Sequence, residues 1–421
     1  MEWPHEWTEP SRLELIRQTP INCLLFSEAP STELVQAAKA ASVECLPPGN
    51  HSVVWRPLKE IDWKLEAPVI GISDGVWPKL DMRRGGTSES TGPTGAPWLD
   101  ANGWVIQLAR SRSHDKPVWL RADPPPQNEV LGIPDYLLAL NEAEAYGARR
   151  PIWLSSVHVQ ELVKGTPAAR QGWQNITASL AWWSKHAEWR SWPVEAHLLV
   201  VSDFSGPNEY LATEILNLSA RRDLAFRVAT PDQVTPANLQ GIRALLYADQ
   251  QPPPVPALGI MQQFANSGGL LLAAKETASK LKGLKPLDQA HPRFTIYGAG
   301  KGRVAVPTPA WDDPYQAAVD THLMMSRRYD SVRLFNGGSV SLHQQISPDK
   351  TRSVVHLLNY ARRQAAHQVL LQSQIPVRSA RLLDPAKADP QPLTINREMG
   401  RYEMPLPPLG VYGAVELEHQ P

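Results

Sequence analysis

The chain has 421 residues, of which 42% are apolar and 20% charged, and its 42 Lys and Arg balance 42 Asp and Glu to a formal net charge of zero. A neutral chain of this length reads as two or three folded domains. It lacks the electrostatic footprint for nucleic acid or an anionic membrane surface, so neither partner is expected. No apolar run reaches the ~20 residues of a membrane-spanning helix.

Forty prolines and fifteen tryptophans are the unusual numbers. The prolines point to many fixed loops; the tryptophans point to large buried surfaces or to platforms for stacking sugar rings. The opening EWPHEWTEPSRLEL has neither a basic start nor an apolar core, so no signal peptide is expected. Cellular location stays open between the cytoplasm and, for a trimmed chain, the periplasm or exterior. Cys23 and Cys45 each sit in a short apolar run and read as two thiols in neighbouring strands, with a disulfide as the alternative.

From Pro20 onward, short apolar runs alternate with helical patterns. INCLLF (21–26) reads as a strand, STELVQAAKAAS (31–42) as a helix capped by Ser31 or Thr32, and VECLP (43–47) as the next strand. HSVVWRP (51–57) is a weaker strand, and APVIGIS (67–73) a strong one that ends at Asp74-Gly75. GPTGAPWLD (92–100) is a loop in which Asp100 is placed to cap a helix over 101–113. PVWLRAD (117–123) is a strand followed by a proline-braced loop, PDYLLALNEAEAYGA (134–148) a helix, and PIWLSS (151–156) a strand. Apolar strands separated by helices imply a parallel sheet covered by helices. The helical stretch from His158 to Trp192 ends in LAWWSKHAEWRSW, whose Trp182, Trp183, Trp189 and Trp192 form one packing surface, between domains or exposed for stacking.

A second strand–helix series starts at HLLVVSD (197–203) and runs through IRALLYAD and the Gly-Gly turn of FANSGGLLLAAKE, a doubly wound α/β pattern. After Pro307 the runs SVRLFNGG, TRSVVHLLNYA, QVLLQSQIPVRSARLLD and PPLGVYGAVELE suggest an antiparallel sandwich.

Three of these stretches carry a resemblance. RALLYADQQPPPVPALGIMQQFANSGGLLLAAKE resembles the glutamine-amidotransferase-like, flavodoxin-type domain that follows the barrel of several β-galactosidases. SVVHLLNYARR, with VRSARLLDP and PPLGVYGAVELE, is similar to the small C-terminal β-domain of many glycosidases, and the region before both looks like their barrel. The resemblance implies an α/β multidomain chain: an incomplete or degenerate (β/α) TIM-type barrel over 1–192, a flavodoxin-like doubly wound domain over 193–300, and a small antiparallel β-sandwich over 301–421. It also implies glycoside hydrolysis on a carbohydrate ligand, without a cofactor, and homo-oligomer formation through the middle domain.

Barrels of that family carry an Asn-Glu acid/base after the fourth strand and a Glu nucleophile after the seventh. Of the three Asn-Glu pairs here, Asn141-Glu142 falls in a helix and Asn208-Glu209 in the middle domain, which leaves Glu129 in the loop beyond PVWLRAD. The later strand PIWLSS ends in serines, a departure that puts a catalytically inactive binding or assembly protein beside the hydrolase reading. The middle domain has no cysteine after Cys45, so it cannot hydrolyse glutamine through a thiol.

In parallel α/β sheets, functional groups gather at the carboxyl ends of strands. Asp74 and Asp123 end consecutive predicted strands, and a glycosidase needs two carboxyls ~5–5.5 Å apart for retention or ~6.5–9.5 Å for inversion. The catalytic candidates are therefore Asp74, Asp123 and Glu129. Trp77, Trp98, Asp100, Arg121 and Ser155 are the candidates for lining the saccharide site. Each aspartate has a plain structural alternative: an SDG turn for Asp74, a helix cap for Asp100, an Asp-Pro turn for Asp123. Dinucleotide and P-loop phosphate motifs, HExxH and GxSxG are all missing from the sequence, and the twelve histidines show no metal-ligand spacing, so no metal is expected.

Overall fold

The computed structural model describes residues 1–50, 52–64, 67–81, 83–85, 88–90, 98–113, 115–124, 131–288, 291–326, 329–361 and 368–420. They form a mixed α/β, multidomain fold with several separate sheets.

The first region is built on very short parallel strands. Cys23–Leu25 pairs with Glu44–Leu46, and Val53–Arg56, Val69–Ile72 and Val118–Leu120 form a second parallel set. Parallel bridges Trp119 to Arg149 and Glu2 to Leu25, with the Glu2 amide donating to the Ile152 carbonyl at 2.8 Å, join the two sets through residues 149–152 and 1–3. Because side chains alternate along a strand, each strand feeds two cores. Leu25, Leu46 and Val53 pack with Cys23, Trp55, Val69 and Trp119 on the inner side. Leu24, Ile70, Ile72, Val118 and Leu120 face the helices on the outer side. Gly71 is required here: a Cβ would come within 2.8 Å of the Trp55 ring that lies across it. Cys23 and Cys45 are free thiols in adjacent strands.

Two helix starts show how tertiary contacts redirect caps. The first helix is Thr32–Ala40, and Ser31 accepts from the Leu34 amide at 3.2 Å, as its residue type suggests. The next begins at Gly103 rather than 101, with Asn102 in the cap position and Asp100 in a short strand, Trp98–Asp100, paired with Lys79–Asp81. Asn102 makes no side-chain cap bond because its amide is engaged elsewhere. Gly103 lets this helix meet Tyr146, whose ring a Cβ would approach to 2.3 Å.

The middle sheet runs, in spatial order, Phe226–Ala229, Leu198–Val201, Ala244–Tyr247, Leu270–Leu272, Gly302–Pro307, Phe294–Ala299 and Lys285–Pro286, with the first five strands parallel. Leu198 and Val200 face a core with helices Asn208–Arg221 and Pro314–Met325, whereas Leu199 and Val201 face one with helix Val255–Asn266. Burial on both faces explains the unbroken apolar run LLVV.

The C-terminal part stacks a four-stranded sheet on a five-stranded one, with antiparallel pairing throughout. On Arg352–Asn359, Val355 and Leu357 enter the sandwich core, while Val354 and Leu358 face the first region. His356 shares that outward face. Its Nδ1 pairs with the Tyr412 hydroxyl at 2.8 Å and its Nε2 with Gln345 Oε1 at 2.9 Å. The tryptophan-rich stretch meets it: Trp183, Trp189 and Trp192 are buried, and Trp182 and Trp183 pack edge-on or tilted against Tyr412. That surface is packing between the first region and the sandwich.

Candidate functional site

The inner side of the parallel strands is apolar at its amino end and charged towards its carboxyl end. Arg121 follows Val118–Leu120 by one residue, so it keeps the inward phase of Trp119. Its guanidinium lies 4.2 Å from the centre of the Trp153 ring and 5.8 Å from that of Trp55, a cation held between two π faces. Opposite stands Glu2, with Oε1 3.4 Å from Arg121 Nε. At that distance neither atom closes a hydrogen bond, and both are buried from water.

Burial pushes the Glu2 carboxyl above its ordinary value; Arg121 opposes the shift and the charge of Asp123 adds to it. Asp123 itself is exposed, two residues beyond Arg121 at the same strand end.

The rim is formed by loops after the strands. Trp77 donates from Nε1 to the Asp123 carbonyl at 2.6 Å, sits edge-on to Tyr136 at 5.2 Å, and carries the Arg150 guanidinium 4.6 Å from its ring centre. The Tyr136 hydroxyl accepts from the Ser155 amide at 2.9 Å, and Ser155 Oγ pairs with His158 Nδ1 at 2.9 Å at the start of helix Ser156–Lys164.

Among the residues expected from sequence, Asp123, Trp77, Arg121 and Ser155 therefore gather at one end of the strands. Asp74 is exposed, and its Oδ1 accepts from the Leu58 amide at 2.9 Å, capping the turn Leu58–Glu60. Trp98 and Asp100 stand on the strand Trp98–Asp100. Glu129 lies outside the described residues. Glu2, Trp55 and Trp153 were not singled out. A signal existed for the tryptophans, since VVWR, VWLR and PIWL each set a Trp among apolar residues; the expected strand PIWLSS does not form, 151–155 being extended chain without strand pairing before helix Ser156–Lys164. No signal existed for Glu2, whose isolated bridge to Leu25 carries no period.

Among the described residues no group of three or more His, Cys, Asp or Glu is placed to hold a metal. A cavity of about 320 Å³ is lined by Met1, Cys23, Trp119, Arg150, Ile152 and the Glu144–Arg190 ion pair.

No family model matches the chain, and no curated protein matches it. Solved structures do. The β-galactosidase from Rahnella sp. R3 superposes with a TM-score of 0.54 at 13% identity, covering 92% of this chain and 65% of that one. The β-galactosidase from Bacillus circulans sp. alkalophilus gives 0.53 at 10% identity, over 91% and 66%. The α-L-fucosidase isoenzyme 2 from Paenibacillus thiaminolyticus gives 0.51 at 13%, over 76% and 63%. The likeness is one of fold. The chain spans just under two thirds of the length of each of these three proteins.

Proposed function

We propose that the chain is a glycoside-hydrolase-like protein that acts on a saccharide at the carboxyl end of its first-region strands. The observation that carries this is the largely buried Glu2 carboxyl, raised by its surroundings and facing an Arg121 guanidinium that lies between the Trp153 and Trp55 rings. In this reading the bridged parallel strands are a shortened barrel, and the middle sheet and the sandwich are the flavodoxin-like and C-terminal domains of that architecture. The fold likeness to two β-galactosidases and a fucosidase supports it.

Glu2 serves as the proton donor to the leaving oxygen, and Asp123, whose charge it feels, as the partner carboxylate. Arg121 orients the sugar hydroxyls and holds Glu2 in place. Trp55, Trp77 and Trp153 stack against the apolar ring faces. Asp74 supports the Leu58 turn, and self-association through the middle sheet belongs to the same reading.

The test is hydrolysis of a panel of aryl glycosides by the native chain and by Glu2→Gln and Asp123→Asn. Loss of about a hundredfold in kcat/KM in each variant is expected; turnover that survives both removes these residues from the mechanism. A second reading, saccharide binding without turnover, is favoured by the Arg121 counter-charge that already faces Glu2. Calorimetric binding of oligosaccharides with no hydrolysis would select it.

A further inference from the structure

Behind the rim lies a polar network for which nothing in the site's chemistry calls. Glu142 is fully buried on helix Ile133–Ala145, Asn102 is 1% exposed and Tyr360 2% exposed. Tyr360 belongs to the sandwich, in the segment after strand Arg352–Asn359, and its hydroxyl donates to Glu142 Oε1 at 2.7 Å. The same oxygen accepts from the Asn102 amide at 3.0 Å, and Oε2 accepts from Asn102 Nδ2 at 2.7 Å. Asn102 then grips the backbone of Val76 at both of its polar groups: Oδ1 accepts from the Val76 amide at 2.8 Å and Nδ2 donates to its carbonyl at 3.0 Å. Arg150 Nη1 donates to that same carbonyl at 3.1 Å while its guanidinium covers the ring of Trp77.

Burying a carboxylate in this way is unfavourable beside an apolar packing of equal volume, so its retention asks for a geometric purpose. That purpose is visible in where the bonds end. Asn102 and Arg150 bond the Val76-Trp77 dipeptide directly, and Glu142 and Tyr360 of the distant sandwich stand behind Asn102 in the same chain of bonds.

We propose that Tyr360, Glu142 and Asn102 are positioning residues that clamp the Val76–Trp77 segment and so set Trp77 at the rim. Tyr360 fixes the Glu142 carboxyl, Glu142 fixes the backbone amide and the Nδ2 of Asn102, and Asn102 holds the segment as a partner strand would. The sandwich thereby shapes the mouth of the first region from more than two hundred residues away in sequence. The link from clamp to ligand rests on the saccharide site proposed above; the clamp itself does not.

Amide hydrogen exchange over residues 74–79 tests the clamp in the native chain and in Tyr360→Phe, which keeps the ring and removes the donor. Exchange there is expected to speed up about tenfold, as loss of one buried hydrogen bond implies, with strand Leu198–Val201 unchanged. Should Tyr360→Phe loosen the whole fold, the strand at 198–201 speeds up in step, and Glu142→Gln is read in its place. Exchange at 74–79 that in both variants either stays at the native rate or rises only in step with the middle sheet overturns the proposal. Saccharide calorimetry on the same variants separates the two ideas. Faster exchange with weakened binding supports both, whereas faster exchange with native binding keeps the clamp and removes Trp77 from the saccharide site.

Discussion

Arg121 Nε faces Glu2 Oε1 at 3.4 Å, near enough for charge to be felt and too far for a hydrogen bond. Arg121 is held by the π faces of Trp153 and Trp55, so the pair keeps its separation.

This relationship predicts a pH profile. The Glu2 carboxyl is raised by burial, and Arg121 pulls it back. As proton donor it is active when protonated, so turnover declines as pH rises through the raised value. Arg121→Met removes the opposing charge and moves that alkaline limb to higher pH. The pH dependence of kcat/KM for an aryl glycoside checks it; a limb that stays in place or moves down excludes Glu2 as the titrating acid.

Asp223 predicts a pH-dependent stability. It sits with φ +55° at the end of helix Asn208–Arg221 and accepts from the Leu342 amide at 3.0 Å and the Ser341 hydroxyl at 3.2 Å, tying the middle region to the sandwich. Burial pushes its carboxyl up from 3.8 to about 7, with Asp330 adding to the shift. A raised carboxyl contributes stability that is complete below pH ~4 and is lost as pH climbs through about 7. With some water access remaining, the loss is about 2 kcal/mol. Asp223→Asn should flatten the thermal midpoint between pH 4 and 7; a midpoint that tracks the native chain would remove Asp223 as the cause.

Trp183 predicts a packing cost. It is fully buried, donates from Nε1 to Asn141 Oδ1 at 2.7 Å, and lies among Trp182, Trp189, His356 and Tyr412. Trp183→Ala leaves a cavity and weakens the bonding of a buried amide, for a destabilisation of about 3–5 kcal/mol. Trp183→Phe retains the ring packing and should lose roughly half of that. Denaturant unfolding measures both, and equal losses would mean that the ring does not contribute by packing.

Much of the fold was legible from local pattern. Strands such as LLVV and VIGI stand out because both faces are buried, and Ser31 caps its helix through a contact three residues away. Asp74 and Asp123 were readable as strand-end carboxyls because a strand's end is a local property. Asp100 shows the limit. Its residue type suits a helix cap, yet it lies in a strand pair, and the cap position falls to Asn102, whose amide turns to Val76 and Glu142.

Glu142 reads from the sequence as one more position within a helix, because its partners lie 40 and 218 residues away. Glu2 carries no sequence signal because an isolated bridge has no period. By itself, then, the sequence determined the elements and the apolar faces they must bury, since propensity, capping and periodicity act over a few residues. Only the tertiary structure decided which charges face one another: ion pairing, burial and aromatic stacking depend on distances of 3–6 Å between segments far apart in the chain.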